Sequence, residues 1–313
     1  MHFVSWKHLG VLALCWLLPA AAHAAGTRNF EFLRVGIAPR PAAMGGAYVA
    51  LSDGAVGLGW NPAGLCLIQD SHALAAYMHY PQGVQAGQVV LGRAAPRGWG
   101  LGVGLRYLSY GSMFRTSVTE PVGYHSESFS ASDVAMTFGA AYPLTPDLRL
   151  GVSASYISGA IDSYSAMAVG IDAGFLLDLP LENMTLGASL RNFQLSGSSY
   201  LSEEVSLPVE GRIGIGYRAP SGLGRLAVDV AFGGGEGVRL ASGFEVLLGR
   251  SLWLRAGMDG ERWDMGRQGD GWGMLSAFCG GLGIEWEDWR VDYGVSPYGA
   301  LGTVHRLSVA SEM

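Results

Sequence analysis

The chain has 313 residues, of which only 15% are charged and 48 are glycine; soluble proteins usually carry about 25% charged residues and about 7% glycine. The mean hydropathy is +0.25, yet no stretch of the mature chain offers the roughly 20 predominantly apolar residues that a helical membrane span needs. The formal net charge is −6 and Lys7 is the only lysine, which argues against nucleic acid as a partner.

The first residues predict export. Lys7 precedes an apolar run over residues 9–18, and the small residues Ala22 and Ala24 form a cleavage pattern. We therefore expect residues 1–24 to be a signal peptide. An apolar exported chain without helical spans predicts a closed β-barrel in the bacterial outer membrane, because only helices and closed sheets satisfy every backbone group in lipid.

Residues 25–68 predict a small helical plug. The stretch 36–65 is rich in glycine and alanine, and its only charges are Arg40 and Asp53. A helix is expected from Pro41 through Leu51, because proline suits a first helical turn.

Two further short helical turns are expected in the same stretch. The first is capped by Ser52 or Asp53 and runs to about Trp60, and the second follows Asn61-Pro62. Glycine-rich helices persist only if their surroundings hold them, and a fourteen-stranded barrel is too wide for its own side chains to fill. We therefore place the plug in the lumen. The expected gating or ligand-facing residues are Met44, Gly45, Gly46, Tyr48, Trp60, Asn61, Pro62 and Gly64.

Residues 69–313 predict the barrel. The hydrophobic period becomes two, with one apolar face and one face of Gly, Ser, Arg, Asp or Glu, which is the pattern of outer-membrane strands. Fourteen strands are expected near residues 72–80, 84–94, 98–109, 128–142, 148–160, 165–178, 184–195, 207–219, 224–233, 238–249, 251–259, 275–286, 289–298 and 304–312. A soluble sandwich or propeller would also alternate. Aromatic residues near strand ends, such as Trp99 and Trp289, favour the membrane barrel.

Charged residues within the strands are expected to face the lumen. Their signs are mixed, which favours ion pairs that brace the wall and plug over a ring that coordinates a solute. The main candidates are Arg106, Asp133, Asp172, Arg191, Arg255, Glu285, Arg290 and Asp292.

The connections predict an orientation, because short turns in such barrels face the periplasm and long loops face outward. The long loops cover residues 110–127, 196–206 and 260–273. The last contains Trp263 and Trp272 among charges, so it is either a ligand-binding or partner-binding loop or simply a solvated one.

No chemistry-bearing motif indicates an enzyme. The mature histidines have no metal-ligand spacing, no serine lies in a nucleophile elbow, and neither a cofactor nor a metal is expected. The two mature cysteines, Cys66 and Cys279, could pair in an oxidising periplasm or remain as buried thiols.

Two motifs resemble a known family. The run Met44-Gly-Gly-Ala-Tyr-Val-Ala50 is followed by Trp60-Asn-Pro-Ala-Gly-Leu65, and the segment 289–308 contains Arg290-Val-Asp-Tyr-Gly294 and a closing His305-Arg306. Together they resemble the PorV/PorQ family of outer-membrane proteins, which is related to the fatty acid transporter FadL. The resemblance implies a fourteen-stranded barrel with an N-terminal hatch.

The resemblance also implies a choice of functions. FadL-type relatives pass hydrophobic molecules, whereas some PorV-type relatives assist type IX protein secretion. We expect a monomer in outer-membrane lipid that passes hydrophobic small molecules through a plugged lumen, with a secretion accessory that binds exported proteins as the alternative. A soluble periplasmic β protein is the second alternative. The barrel assembly machinery is an expected partner, although the chain ends in Ser311-Glu312-Met313 without the usual terminal aromatic residue.

Overall fold

The computed structural model describes residues 29–116, 127–200, 203–233, 237–262 and 275–313. The predicted signal peptide, residues 117–126 of the first long loop and residues 263–274, with Trp263 and Trp272, lie outside these ranges. In the described part of the chain, no helix is both long and apolar enough to cross a membrane.

Fourteen antiparallel strands close into one barrel, in which β1 pairs with both β2 and β16. The barrel strands are β1 (Ser71–His79), β2 (Gln85–Ala95), β3 (Trp99–Phe114), β4 (Ser128–Pro143), β5 (Leu148–Ile161), β6 (Tyr164–Asp178), β7 (Met184–Gly197), β10 (Glu210–Arg218), β11 (Gly224–Gly233), β12 (Arg239–Leu248), β13 (Leu252–Asp259), β14 (Phe278–Trp286), β15 (Trp289–Pro297) and β16 (Thr303–Glu312). The short strands β8 (Ser199–Tyr200) and β9 (Glu203–Glu204) pair separately between β7 and β10.

The predicted fold class and all fourteen predicted strands are confirmed. Two starts differ from the prediction, because β10 begins at Glu210 rather than near 207 and β14 begins at Phe278 rather than near 275. Residues 275–277 form a 3-10 turn instead.

The outer face of the wall is apolar. On β3, Leu101 and Leu105 are 48% and 51% exposed, whereas the residue that follows each of them, Gly102 and Arg106, faces the lumen. Leaving one leucine in water rather than burying it costs about 1.5–3 kcal/mol, and the wall exposes many such side chains. This surface therefore requires lipid around it, which is the opposite of the arrangement in the soluble β protein considered as an alternative.

The two ends of the barrel differ. At the terminal end, Ser71 and Met313 exchange backbone hydrogen bonds of 2.9 Å, and neighbouring strands are joined there by short turns such as Pro96–Gly98. The opposite end, called the loop end here, carries the three longest connections, which follow β3, β7 and β13. This asymmetry is the one expected for short turns at the periplasm and long loops outside.

The helical segments are shorter than predicted. They are α1 (Pro39–Ala43) and the 3-10 segments Glu31–Arg34, Ala55–Gly59, Pro62–Leu67, Pro81–Gly83, Pro96–Gly98 and Gly299–Leu301. The helix expected from Pro41 through Leu51 ends at Ala43, because Gly45 and Gly46 take positive φ angles of 69° and 79°, which an α-helix excludes.

The predicted caps are partly wrong. Neither Ser52 nor Asp53 caps the next segment, since the Ser52 hydroxyl donates to the Asn61 carbonyl and Asp53 pairs with Arg40. The Asn61 cap is present, and its side-chain oxygen accepts from the Ala63 backbone N–H at 3.2 Å.

Candidate functional site

Residues 29–70 form a plug that winds around the inside of the barrel. At the loop end, the Asn29 backbone N–H donates to the Ser206 carbonyl at 3.0 Å. The chain then crosses the lumen and reaches the terminal end, where β1 begins at Ser71. Met44, Tyr48 and Leu65 have no exposed surface at all, so the plug is packed on every side.

A series of glycines on the inner face of the wall forms the seat of the plug. A side chain at Gly257 would collide with the backbone of Met44, and one at Gly151 would collide with the backbone of Ala63. Glycine is required at such close backbone approaches because it has no Cβ. The seat glycines, which lie on β2–β7, β10 and β12–β14, are Gly92, Gly100, Gly102, Gly139, Gly151, Gly174, Gly187, Gly214, Gly216, Gly243, Gly257 and Gly281.

Strands without a seat glycine hold the plug by hydrogen bonds instead. On β11, one carboxylate oxygen of Asp229 accepts from the backbone N–H groups of Tyr48 at 2.7 Å and Val49 at 2.9 Å. On β16, Arg306 Nε donates to the Gly36 carbonyl at 2.7 Å. On β1, His72 Nδ1 accepts from a plug backbone N–H at 2.7 Å. The plug backbone is therefore satisfied by the wall as well as by itself.

Near the terminal end, an ion-pair network ties the plug to the wall. Arg40 Nη2 lies 2.7 Å from Glu245 on β12, and Arg40 Nη1 lies 2.7 Å from Asp53 of the plug. Glu245 also pairs with Arg255 at 2.9 Å, which in turn pairs with Asp292 at 2.6 Å. Arg225 and Arg290 complete the network.

The electrostatics of the plug residues follow from this network. Burial works to raise the pKa of Asp53, but the guanidinium groups of Arg40 and Arg225 hold that pKa well below its ordinary value. Burial raises the pKa of the Tyr48 hydroxyl, which donates to Asp53 at 2.7 Å. Both groups therefore keep one protonation state through the neutral range.

A second network lies nearer the loop end, around Glu210 of β10. Its carboxylate is 2.7 Å from Arg212 Nε and 2.6 Å from Arg239 Nη2. Trp60 of the plug lies between two wall arginines, with its ring centroid 5.2 Å from the Cζ of Arg212 and 5.6 Å from that of Arg191. Arginines stack favourably on tryptophan faces, so Trp60 is held between β7 and β10.

The predicted plug residues occupy different places. Trp60 packs against the wall arginines Arg191 and Arg212, whereas Met44 and Tyr48 are fully buried within the plug. The Asn61 amide donates to the carbonyls of Val49 and Phe175 at 3.0 and 2.9 Å. The smaller residues shape the backbone, with Gly45 and Gly46 in a turn, Pro62 in the first turn of a 3-10 segment and Gly64 against Ser52.

The predicted wall charges lie on the inner face. Arg106 and Arg191 both donate to the Leu33 carbonyl, at 2.9 and 3.0 Å. Asp133 accepts from the Tyr110 hydroxyl at 2.7 Å, and Asp172 accepts from the Ser153 hydroxyl at 2.9 Å. The four others belong to the network near the terminal end: Arg255, Glu285, Arg290 and Asp292.

Sequence reasoning missed Glu210. Its carboxylate forms ion pairs with three wall arginines, Arg191, Arg212 and Arg239, more than any of the predicted acidic site residues. The available signal was its position two residues before Arg212, because residues i and i+2 of a strand share a face. The partners Arg191 and Arg239 lie on β7 and β12 and could not be assigned without the strand order.

Two cavities in the lumen are bordered by described residues of both the plug and the wall. The larger, called the vestibule here, has a volume of about 480 Å³ and lies towards the loop end, where parts of the plug and of β10–β13, β15 and β16 form its wall. The smaller has a volume of about 60 Å³ and lies among Leu33, Leu58, Trp60 and Asp172. Trp60 borders both cavities, whereas Met44 and Tyr48 border neither of these two.

The wall beside the smaller cavity is irregular. The pairing of β6 with β7 shifts between Ile171 and Ala173, so that Asp172 has no partner in the ladder. Opposite it, Asn192 takes a positive φ of 57° and its N–H donates to the Asp172 carboxylate at 2.6 Å. Such bulges weaken the local ladder. A separate hollow of about 370 Å³ lies on the outer wall along β16, β1, β2 and β3.

The cysteines do not pair, since Cys66 and Cys279 are both free thiols. Burial raises the pKa of the Cys66 thiol to about 11. Among the described residues, no three His, Cys, Asp or Glu side chains are grouped so as to hold a metal ion.

Together, the apolar exterior, the closed fourteen-stranded wall and the internal plug define a plugged membrane barrel. Toluene transporters are among the solved structures that resemble it. The structure aligns with the Pseudomonas putida toluene transporter TodX at a TM-score of 0.62 and 14% identity, over 89% of this chain and 98% of that one. It aligns with the Ralstonia pickettii toluene transporter TbuX at a TM-score of 0.59 and 13% identity, over 88% of this chain and 97% of that one.

A Pseudomonas aeruginosa FadL homologue gives a TM-score of 0.59 and 12% identity, over 89% of this chain and 99% of that one. At these identities the likeness establishes a shared fold. No family model and no curated protein matches the sequence. The PorV/PorQ resemblance therefore stays a prediction from the two sequence motifs.

Proposed function

We propose that this protein passes small hydrophobic molecules across the bacterial outer membrane through the loop-side half of its lumen. The observation that carries the proposal is the vestibule of about 480 Å³ above a tightly packed plug, in a barrel whose exterior is apolar. Pockets of 300–1,000 Å³ are typical of small-molecule sites. The toluene transporters among the structural neighbours support the same substrate class.

The packing of the plug bears on the route. Seat glycines and ion pairs fix the plug against nearly every strand, so a straight path through the lumen would require the whole plug to move. The smaller cavity instead adjoins the bulge at Asp172 and Asn192. A sideways exit between β6 and β7 would need only a local change in a ladder that is already interrupted.

A disulfide between β6 and β7 beside the bulge tests this route. Ile171 and Phe193 are register partners beside the bulge, and Phe175 and Ala188 are register partners in the regular part of the same two strands. Each pair is changed to cysteines in a chain carrying Cys66→Ala and Cys279→Ala. Toluene uptake is then measured in vesicles with an outer leaflet of lipopolysaccharide, with and without reductant.

We expect the oxidised pair at 171 and 193 to slow toluene uptake and reductant to restore it. The control pair at 175 and 188 should have no effect in either state. Undiminished uptake with the first pair fully cross-linked would rule out this exit.

The secretion accessory stays a prediction of the sequence. It would use the outer loops, and much of these loops lies outside the described residues. No contact in the described part of the chain favours it over the transport of small molecules.

A further inference from the structure

The charges of the vestibule are not evenly compensated. Five arginines line it together with the three carboxylates Glu31, Asp259 and Glu261, and a fourth carboxylate, Glu210, pairs with arginines of the lining. Arg34, Arg212 and Arg239 are paired with Glu210 or Glu261 at distances between 2.6 and 3.8 Å. The remaining two, Arg262 and Arg306, lie on the side of the vestibule nearest β15 and β16.

Arg306 has no ion pair within the described ranges of the chain. Its Nε donates to the Gly36 carbonyl at 2.7 Å and its Nη1 donates to the Ser296 hydroxyl at 2.9 Å. The residue is only 4% exposed. A buried guanidinium with neutral partners alone is costly, so an anion in the vestibule would stabilise it.

Arg262 is only partly compensated. Its Nε lies 3.1 Å from Asp259, and its side chain is 5% exposed. Its Nη1 is buried without a hydrogen-bond partner among the described residues, although Arg262 borders the vestibule. An unsatisfied buried donor costs about 1–3 kcal/mol, and a rotation of the side chain would bring this donor to a ligand in the vestibule.

Aromatic rings lie beside these two arginines. The Arg262 Cζ is 5.3 Å from the centroid of Tyr298, and the Tyr80 and Tyr298 rings are 5.3 Å apart. Trp60 borders the same cavity, and Val35 and Leu240 add apolar surface. Aromatic pairs in tilted or edge arrangements attract a further ring.

From this arrangement we infer that the vestibule binds a compact aromatic carboxylate, with its anionic group between Arg262 and Arg306 and its ring against Tyr80 and Tyr298. Arg262 pairs with one carboxylate, Asp259, and Arg306 pairs with none in the described ranges, which leaves one positive charge for a monoanion. The planar guanidinium fork matches a carboxylate. The inference rests on the proposed function, because the bound acid would be a cargo of the same lumen, and it adds a charged class to the hydrophobic one.

Binding is measured by titration calorimetry on the whole detergent-solubilised barrel. The probes are benzoate, the neutral isostere benzyl alcohol and inorganic phosphate. The variants are Arg262→Gln, Arg306→Gln and Arg306→Lys. The matched control is Arg115→Gln, which removes a loop-end arginine paired with Asp162 at 2.6 Å and outside the vestibule. Heat-modifiable migration on gels verifies that each variant forms a barrel.

We expect wild-type protein and Arg115→Gln to bind benzoate at least about tenfold more tightly than benzyl alcohol. Arg262→Gln and Arg306→Gln should each weaken benzoate binding about tenfold or more, and Arg306→Lys should weaken it less than Arg306→Gln. If Arg306→Gln does not fold, the Arg262→Gln and Arg306→Lys results decide.

Benzoate binding that is absent, or that neither Arg262→Gln nor an Arg306 variant weakens, would overturn the inference. Phosphate binding as tight as that of benzoate would also overturn it, because the site would then recognise any anion. Toluene uptake by the wild type is scored separately. Uptake without benzoate binding refutes only this inference, and benzoate binding without uptake refutes only the proposed function.

Discussion

Arg40 and Glu245 are 205 residues apart in the chain, yet their side chains meet through two hydrogen bonds of 2.7 and 3.0 Å. One belongs to the plug and the other to β12. Both are buried, and each has further partners of opposite charge, Asp53 for Arg40 and Arg225 and Arg255 for Glu245. This pair joins the plug to the barrel wall. The sequence predicted that the plug lies in the lumen but did not predict which residues connect the two.

Removing one partner of this pair should release the plug at the terminal end. Breaking a buried pair costs about 3–5 kcal/mol when the remaining charge is left uncompensated; Glu245 keeps Arg225 and Arg255, so the cost here should be smaller and should fall mainly on the attachment of the plug. We expect Arg40→Ala to admit bulky antibiotics into cells that carry the barrel. The control is Arg149→Ala, which removes a more exposed pair with Asp178 at 2.8 Å. Equal permeability of the two variants would contradict the role of Arg40.

A side chain in the glycine seat should displace the plug. At Gly257 a Cβ would meet the Met44 backbone, and overpacking of this kind costs about 1–3 kcal/mol. We expect Gly257→Ala to lower the unfolding temperature and to expose the plug to protease. In Gly280→Ala, the nearest atom to the new methyl group is the Arg255 carbonyl oxygen at 3.6 Å, so this control should resemble wild type. Equal unfolding temperatures and equal protease sensitivity of the two variants would contradict the role of these glycines in seating the plug.

Asp229 on β11, which holds the plug backbone, should tolerate substitution by asparagine but not by alanine. One Asp229 oxygen accepts both plug N–H groups, and the other is buried without a partner among the described residues. Asp229→Asn keeps an accepting oxygen, whereas Asp229→Ala leaves two buried donors unsatisfied at about 1–3 kcal/mol each. Protease sensitivity of the plug should therefore rise more in Asp229→Ala. Equal sensitivity of the two variants would contradict this prediction and show that the negative charge, which both variants remove, matters more than the acceptor.

The cysteines should react slowly and separately. Cys66 and Cys279 are free, and a Cys66 pKa of about 11 leaves about one thiolate in a thousand at pH 8. Alkylation of Cys66 should accelerate about tenfold per pH unit up to pH 10. Mass spectrometry of the intact chain should show two reduced thiols before labelling. A disulfide between them would contradict the structure.

The barrel could be predicted because its strands repeat one local rule. Leu101, Gly102, Val103 and Gly104 alternate between apolar and small residues, and this period of two follows from strand geometry. The same rule located the inward faces that carry Arg106 and Asp292. It needed no knowledge of which strands are neighbours.

The plug could be predicted only in outline. Its backbone follows contacts with the wall, so the helix expected through Leu51 gives way at Gly45, where the chain packs on Met258. Tertiary contacts override helix propensity in such a segment. The networks around Glu210 and Glu245 also depend on register between distant strands, which no local pattern contains.

The central claim is that a plugged lumen passes hydrophobic molecules and excludes hydrophilic ones. The most direct measurement compares uptake of toluene and of a small sugar into vesicles with a lipopolysaccharide outer leaflet, with and without wild-type protein. The account predicts that the protein accelerates toluene uptake and leaves sugar uptake unchanged. Accelerated sugar uptake, or toluene uptake equal to that of empty vesicles, would contradict it.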